Sequence, residues 1–312
     1  MKASLSSSLL TFLSILLIVL SGTSCSSTKT ESQSERIEDL NSSISWNNLR
    51  RDTLIAVNKD SLAAWGIEGT VAKELKVATL YIEMSLISPK ALSENLSILE
   101  QNIHRILSFV LSKQYAMIKE NSMDARVNSY FSTYIENFKG NLKSYYAAMQ
   151  HGDIEDEKLS STSTWFISVK DSLVYNKSNI ASIVQFVESS LGEEDRTIRS
   201  ATYNIDLEKG SKIYLDSIID TNSEELLSNL LVKSLMKKYG AETEEDLSNK
   251  GFFHYSDIHI VEDFYFSDTG LVFVFDPYEI APSSMGRIEV DLPYNDLKPV
   301  FKNSFPIHPV SQ

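Results

Sequence analysis

The chain has 312 residues, 42% of them hydrophobic and 23% charged, with a formal net charge of −13 and a pI near 4.9. That apolar content is ordinary for a protein that buries a core and argues against a largely disordered chain. The negative charge would repel phosphate backbones, which argues against nucleic acid as a partner, whereas a cationic protein would be drawn in.

Met1-Lys2, the apolar stretch Leu9 to Leu20 and the small residues Ser21-Gly22-Thr23-Ser24 form the charged region, hydrophobic region and cleavage site of an export signal. The apolar run is short for a bilayer span, and no later segment approaches the roughly 18 consecutive apolar residues that a transmembrane helix requires. Cys25 follows directly and is the only cysteine, so no intrachain disulfide can form. It stands where lipoprotein signal peptidase requires a thiol for diacylglycerol transfer, and the segment resembles a relaxed lipobox with Gly22 where Leu is common. The reading is a chain lipidated at Cys25 and held outside the cytoplasm on a bacterial membrane, on the outer-membrane or periplasmic side. The alternative is a secretory signal that happens to contain a cysteine. A bacterial lipoprotein carries at least two acyl chains, enough for stable anchoring. Residues 1–24 are thus expected as signal and 25–44, polar and without periodicity, as a tether.

From Ser45 to about Met84 the runs TLIAV, LAAWGIEGTV and VATLYIEM, broken at Gly66 and Gly69, read as strands. Ser88-Pro89 reads as a helix cap with Pro in the first turn, ahead of Leu96, Leu99, Ile103, Ile106 and Val110 at helical spacing. A second helix is expected from Asp124, with Val127, Phe131, Tyr134, Phe138, Tyr145 and Met149 as its apolar stripe. The two helices should cover one face of a sheet. Trp165, Ile167 and Val169 alternate as a half-buried strand, and IVQFV is another. YNIDLEKGSKIYL reads as a hairpin, with Tyr203, Ile205 and Leu207 on one arm, Ile213 and Leu215 on the other, and Gly210 in the turn. Asn222 with Glu225 suggests a capping box for a helix with Leu227, Leu230, Leu231 and Leu235 inward and Gly240 as its stop. A second hairpin is expected around Asp268-Thr269-Gly270. Its second arm, Leu271 to Phe275, is apolar on both faces and therefore central. RIEVDLPY is a last strand, followed by a turn or short helix at NDLKPVF. Blocks of strands and helices without regular alternation predict an α+β fold, mainly antiparallel sheet with helices on one face. Two subdomains are expected, 45–200 and 201–304, with a tail at 305–312.

The run GLVFVFDPYEIAPSSMGRIEVDLPYNDLKPVF resembles the C-terminal domain of the RsiV-like extracytoplasmic family, which shares the glycine-turn hairpin, the aromatic-rich strand, the PYEIAP-type corner and the PY-x-x-LK ending. The preceding YNIDLEKGSKIYLDSII is similar to that family's hairpin. The resemblance implies an extracytoplasmic α+β domain without catalytic activity of its own. Related domains occur beside peptidoglycan deacetylase domains and in membrane-bound anti-sigma factors that recognise lysozyme. Ser283 stands where many relatives have an aromatic, and LGEEDRTIRS replaces the family's Gly-Ala-His-like turn.

Pro277, Tyr278, Glu279, Pro282 and Ser283 follow the expected central strand, where two prolines fix a corner able to present an aromatic anchor at low entropic cost. The same corner could equally turn the chain and bury Tyr278. His254, Asp257 and His259 lack a fourth ligand and read as surface residues, so no metal and no cofactor is expected. No Gly-x-Ser-x-Gly elbow and no Gly-rich phosphate loop is present, so an enzyme is not expected. The acidic clusters Asp153–Glu157, Glu193–Asp195 and Glu242–Asp246 read as solvated loops, or as a negative rim attracting a basic protein. The function expected is a non-catalytic binding module for a cell-envelope ligand, peptidoglycan or a lysozyme-like protein, with an assembly lipoprotein that docks an envelope protein as the alternative.

Overall fold

The computed structural model describes residues 44–64, 78–107, 123–151, 164–192, 196–254, 258 and 260–305. The signal with Cys25, the tether up to residue 43, Gly66, Gly69, Val110, Asp153–Glu157, Glu193–Asp195, Asp257, His259 and tail residues 306–312 lie outside the described residues.

The chain opens with β1 (Ile44–Val57) and a short helix, α1 (Lys59–Ala64), followed by β2 (Ala78–Ala91). The expected strand starting at Leu62 is therefore helical as far as Ala64. β2 pairs antiparallel with β1 along its whole length, from Ile44 opposite Ala91 to Val57 opposite Ala78. Ala78, Leu80, Ile82, Met84 and Leu86 alternate into the core. Pro89 lies inside this strand and does not start a helix. The reason is the direction of the amides: Ile87 N donates to Asp171 Oδ2 at 3.0 Å and Ala91 N to Glu100 Oε2 at 2.7 Å. Pro89, midway between them, points its nitrogen the same way, off the β1 ladder, so its missing N–H breaks no strand pairing.

A one-turn 3-10 segment, Glu94–Leu96, leads into α2 (Ser97–Leu107), whose Leu99, Ile103 and Leu107 are buried. α3 (Met123–Gln150) buries Val127, Tyr130, Phe131, Tyr134, Phe138, Leu142 and Tyr146. The expected stripe holds to Phe138; beyond it Leu142 and Tyr146 face the core, while Tyr145 is only half-buried. These helices share one apolar cluster with Leu80, Ile167 and Ile205, and Phe138 meets Trp165 edge-on at 5.4 Å.

β3 (Thr164–Lys177) lies parallel to β2, which requires a crossover of the length that α2 and α3 provide. β4 (Ile180–Leu191), β5 (Thr197–Asp206) and the two-residue β6 (Ser211–Lys212) complete a six-stranded sheet in the order β1-β2-β3-β4-β5-β6, antiparallel except for β2–β3. Ser178 and Asn179 form the β3–β4 turn, both at positive φ. A bulge between Leu173 and Tyr175 inserts Val174 and reverses the facing of β3. Leu173 packs on the helix side, whereas Tyr175 joins a second core.

That second core is built by the C-terminal segment. α4 (Leu215–Ile218), α5 (Glu224–Tyr239) and α6 (Glu244–Asn249) precede a three-stranded antiparallel sheet of β7 (Phe264–Phe266), β8 (Gly270–Phe275) and β9 (Ile288–Pro293), after which α7 (Tyr294–Leu297) closes the chain. β8 is central and buried along its whole length. Three readings change. Asp220, accepting from Asn222 N at 2.9 Å, caps a 3-10 turn that runs into α5, so Asn222–Glu225 is no capping box. The second arm of the first hairpin is only two residues long, because Leu215 starts α4. The acidic cluster Glu242–Asp246 is no loop: Thr243 and Asp246 make a capping box for α6. Gly240 ends α5 at φ 63, with Ala241 N bonded back to Met236 O at 2.8 Å.

The expected boundary at residue 200 falls inside β5, and the first core extends to Leu207. The two sheets are joined through polar side chains. β7 presents one unpaired edge, and its Phe264 O accepts from Asn204 Nδ2 at 2.7 Å while Phe266 N donates to Ser182 Oγ at 3.1 Å. Ser182 Oγ donates to Asn204 Oδ1 at 2.7 Å, closing the network. On the opposite edge, Ser234 Oγ and Lys238 Nζ of α5 donate to the carbonyls of Asp291 and Glu289 in β9. The buried backbone groups of the β7 edge, and the exposed carbonyls of the β9 edge, thereby find side-chain partners.

Candidate functional site

The chain leaves the central strand β8 at Asp276. Its carboxylate accepts from the Ser200 amide at 2.9 Å and from the Ser200 hydroxyl, so the start of the corner is tied to β5. Glu279 N donates to Asp276 O at 3.1 Å, and Asp276 N donates to Glu279 Oε2 at 2.8 Å. These bonds enclose Pro277 and Tyr278. Proline at the second position and a positive φ of 73° at the third are the marks of a type II turn. That third position favours glycine, and here it holds a tyrosine.

Tyr278 is 71% exposed, its ring resting edge-on against Phe253 at 5.4 Å. The segment beneath is fixed: Phe253 N donates to Ile280 O at 2.9 Å, and Ile280 and Ala281 are buried. Pro277, Glu279 and Pro282 are half-buried, and Ser283 is exposed at the start of a 3-10 turn, Ser283–Met285. All five sequence-derived residues thus lie in one corner, with Tyr278 and Ser283 outward, and the alternative in which the ring is buried does not hold.

Sequence reasoning missed the surface beside this corner. Away from β7, and among the described residues, part of the outer face of the six-stranded sheet is exposed. Tyr81 and Phe166, paired across β2 and β3, stack at 5.9 Å and 19°, beside Leu54, which is 64% exposed. Glu83 accepts from Ser168 Oγ at 2.7 Å and pairs with Lys170 at 2.5 Å. The Lys170 ammonium and the Ser168 hydroxyl hold its carboxyl below the usual range. Nearer the corner, the Arg287 guanidinium stacks on Phe186 at 4.2 Å and reaches Glu289 at 2.6 Å, while its Nη1 is buried without a partner. The alternation of Thr79, Tyr81 and Glu83 was the available signal, but nothing local tells an open sheet face from a covered one.

His254 is exposed. Among the described residues no group of three His, Cys, Asp or Glu side chains could hold a metal ion, and no helix is long and apolar enough to cross a membrane.

The fold is shared with solved structures. A crystal structure of a DUF3298 family member from Bacteroides fragilis superposes with a TM-score of 0.67 at 18% identity, covering 84% of this chain and 95% of that one. A DUF3298 family protein from Pseudomonas aeruginosa gives a TM-score of 0.52 at 13% identity, covering 82% and 94%. No curated protein matches the chain. Residues 216–295, the segment that carries the small sheet and the Tyr278 corner, match the protein family described as a protein of unknown function, DUF3298.

Proposed function

We propose that the chain is a non-catalytic binding module of the bacterial cell envelope, RsiV-like in kind and anchored outside the cytoplasm by lipid on Cys25, and that it recognises an envelope ligand through the Tyr278 corner. The ligand is peptidoglycan or a lysozyme-like protein. The observation that carries this reading is an aromatic side chain held outward at positive φ. Left-handed backbone at a bulky residue costs about 1–2 kcal/mol, and such strain persists where surrounding structure over-determines it, typically at ligand contacts. The corner is fixed at Asp276 and at Ile280 before any partner arrives, so little ordering entropy remains to be lost on binding.

A second reading, an assembly lipoprotein that docks another envelope protein, is favoured by the open sheet face with Leu54, Tyr81 and Phe166. Ionic strength separates the two. Binding of a cationic lysozyme-like protein to this acidic chain weakens steeply with salt, whereas apolar docking on the sheet face does not. The anchor is tested by metabolic labelling with a fatty-acid probe: wild type is labelled and Cys25→Ser is not. Equal labelling of both would remove the anchor.

A further inference from the structure

β1 is an edge strand of 14 residues, paired on one side with β2 in unbroken register and followed by no further strand on the other side among the described residues. It contains no proline, and no bulge interrupts its ladder with β2. Long edges of this kind are templates for another strand unless they are blocked.

We infer that β1 pairs with the β1 strand of a second copy of this chain, antiparallel about a two-fold axis at Arg51, joining two six-stranded sheets into one. The register follows from backbone direction and charge. The Ile87 amide points away from β1, so its partner Asn48 forms a non-hydrogen-bonded pair with it and directs its own N–H and C=O to the free edge. The even-numbered residues Arg50, Asp52 and Leu54 do the same. Centring the pair on Arg50 would set Arg50 against Arg50, and centring it on Asp52 would set Asp52 against Asp52, both unfavourable. Centring on Arg51 sets Arg50 opposite Asp52 twice, with Asn48 opposite Leu54. The two Arg51 side chains then meet on the helix side, where each is already held within its own chain by Asp124 at 3.2 Å and by Asn128. Charges on an edge normally discourage pairing. Here Arg50 and Asp52 have opposite signs and stand two residues apart, which complements in this one register. Arg50, Asp52 and Leu54 are exposed, as this contact requires.

The test is light-scattering mass of the full chain, purified in detergent, over about a hundredfold range of concentration. Wild type is expected at twice the chain mass. Arg50→Asp and Asp52→Arg are each expected as monomers that keep the far-UV circular dichroism of wild type and still unfold cooperatively, and the double variant Arg50→Asp/Asp52→Arg as a dimer again. A wild-type monomer throughout, single variants that stay dimeric, or a double variant that fails to recover the dimer would each overturn the proposal.

Discussion

Asn204 donates its side-chain amide to the main-chain oxygen of Phe264, and this bond, with the one from Phe266 N to Ser182, ends the free edge of the small sheet on side chains of the large one. Asn204→Leu leaves the Phe264 carbonyl buried without its side-chain donor and the Ser182 hydroxyl proton without its acceptor, although Ser182 Oγ still accepts from Phe266 N. A cost of about 1–3 kcal/mol is expected, read as a lower urea midpoint at unchanged slope. Because the two side chains act as one network, Ser182→Ala/Asn204→Leu should cost less than the sum of the single changes. A midpoint for Asn204→Leu equal to wild type would contradict the seam.

Asp171 is buried on the helix side, accepting from Gln185 Nε2 at 2.7 Å and from Ile87 N at 3.0 Å. Burial pushes its carboxyl up to about 6, the two hydrogen bonds offsetting only part of that rise. A pKa raised above the unfolded value means that Asp171 favours folding below pH 4 and loses that contribution as the pH climbs through 6. Asp171→Asn removes the charge, and Gln185 can turn its unpartnered Oε1 to accept from the new amide. The variant is expected to gain stability relative to wild type at pH 7, by about 1–3 kcal/mol, with the difference fading toward pH 4. A difference that does not change with pH would contradict the placement.

Gly270 opens β8 at a close approach of two backbones. A Cβ there would lie 1.9 Å from Leu292 O and 2.9 Å from Pro293 Cα, with no flexible side chain to yield. Gly270→Ala should therefore separate β8 from β9 and cost several kcal/mol, on the order of 4 or more. Gly240→Ala, at φ 63 with open space around it, pays only for the left-handed backbone, about 1 kcal/mol. Equal thermal midpoints for the two variants would count against the account.

Much of this architecture is legible from local pattern. The alternation of Trp165, Ile167 and Val169, the helical stripe from Val127 to Phe138 and the apolar run of β8 each point to the correct element, because each is dominated by burial on a definite face. The failures have physical causes. Pro89 resembles a helix start until the amide directions along β2 are known, and Thr202 and Asn204 look solvent-facing because the sheet that buries them is some sixty residues away. Glu242–Asp246 was legible, since Thr243 and Asp246 have the capping spacing, and the density of charge obscured it. The corner itself was visible in its two prolines; the positive φ at Tyr278 and the open face holding Tyr81 and Phe166 were not, because both depend on what the neighbouring sheet covers.

Ser283 is exposed beside the corner, so Ser283→Tyr should leave the unfolding midpoint within about 0.5 kcal/mol of wild type. On the RsiV-like reading proposed above, an aromatic at this position is expected to create or strengthen binding to a lysozyme. A large loss of stability would show that the position is packed in a way the corner does not allow.

Binding of the detergent-purified full chain to a c-type lysozyme and, in parallel, to peptidoglycan sacculi, each compared with Tyr278→Ala, tests the recognition surface most directly. Tyr278 is 71% exposed and its ring meets Phe253 edge-on, so the variant should lose no more than about 1 kcal/mol of stability. The account predicts that wild type binds one of the two ligands and that Tyr278→Ala weakens that binding at least about tenfold. Binding of wild type to neither, or equal binding of both proteins, would contradict it.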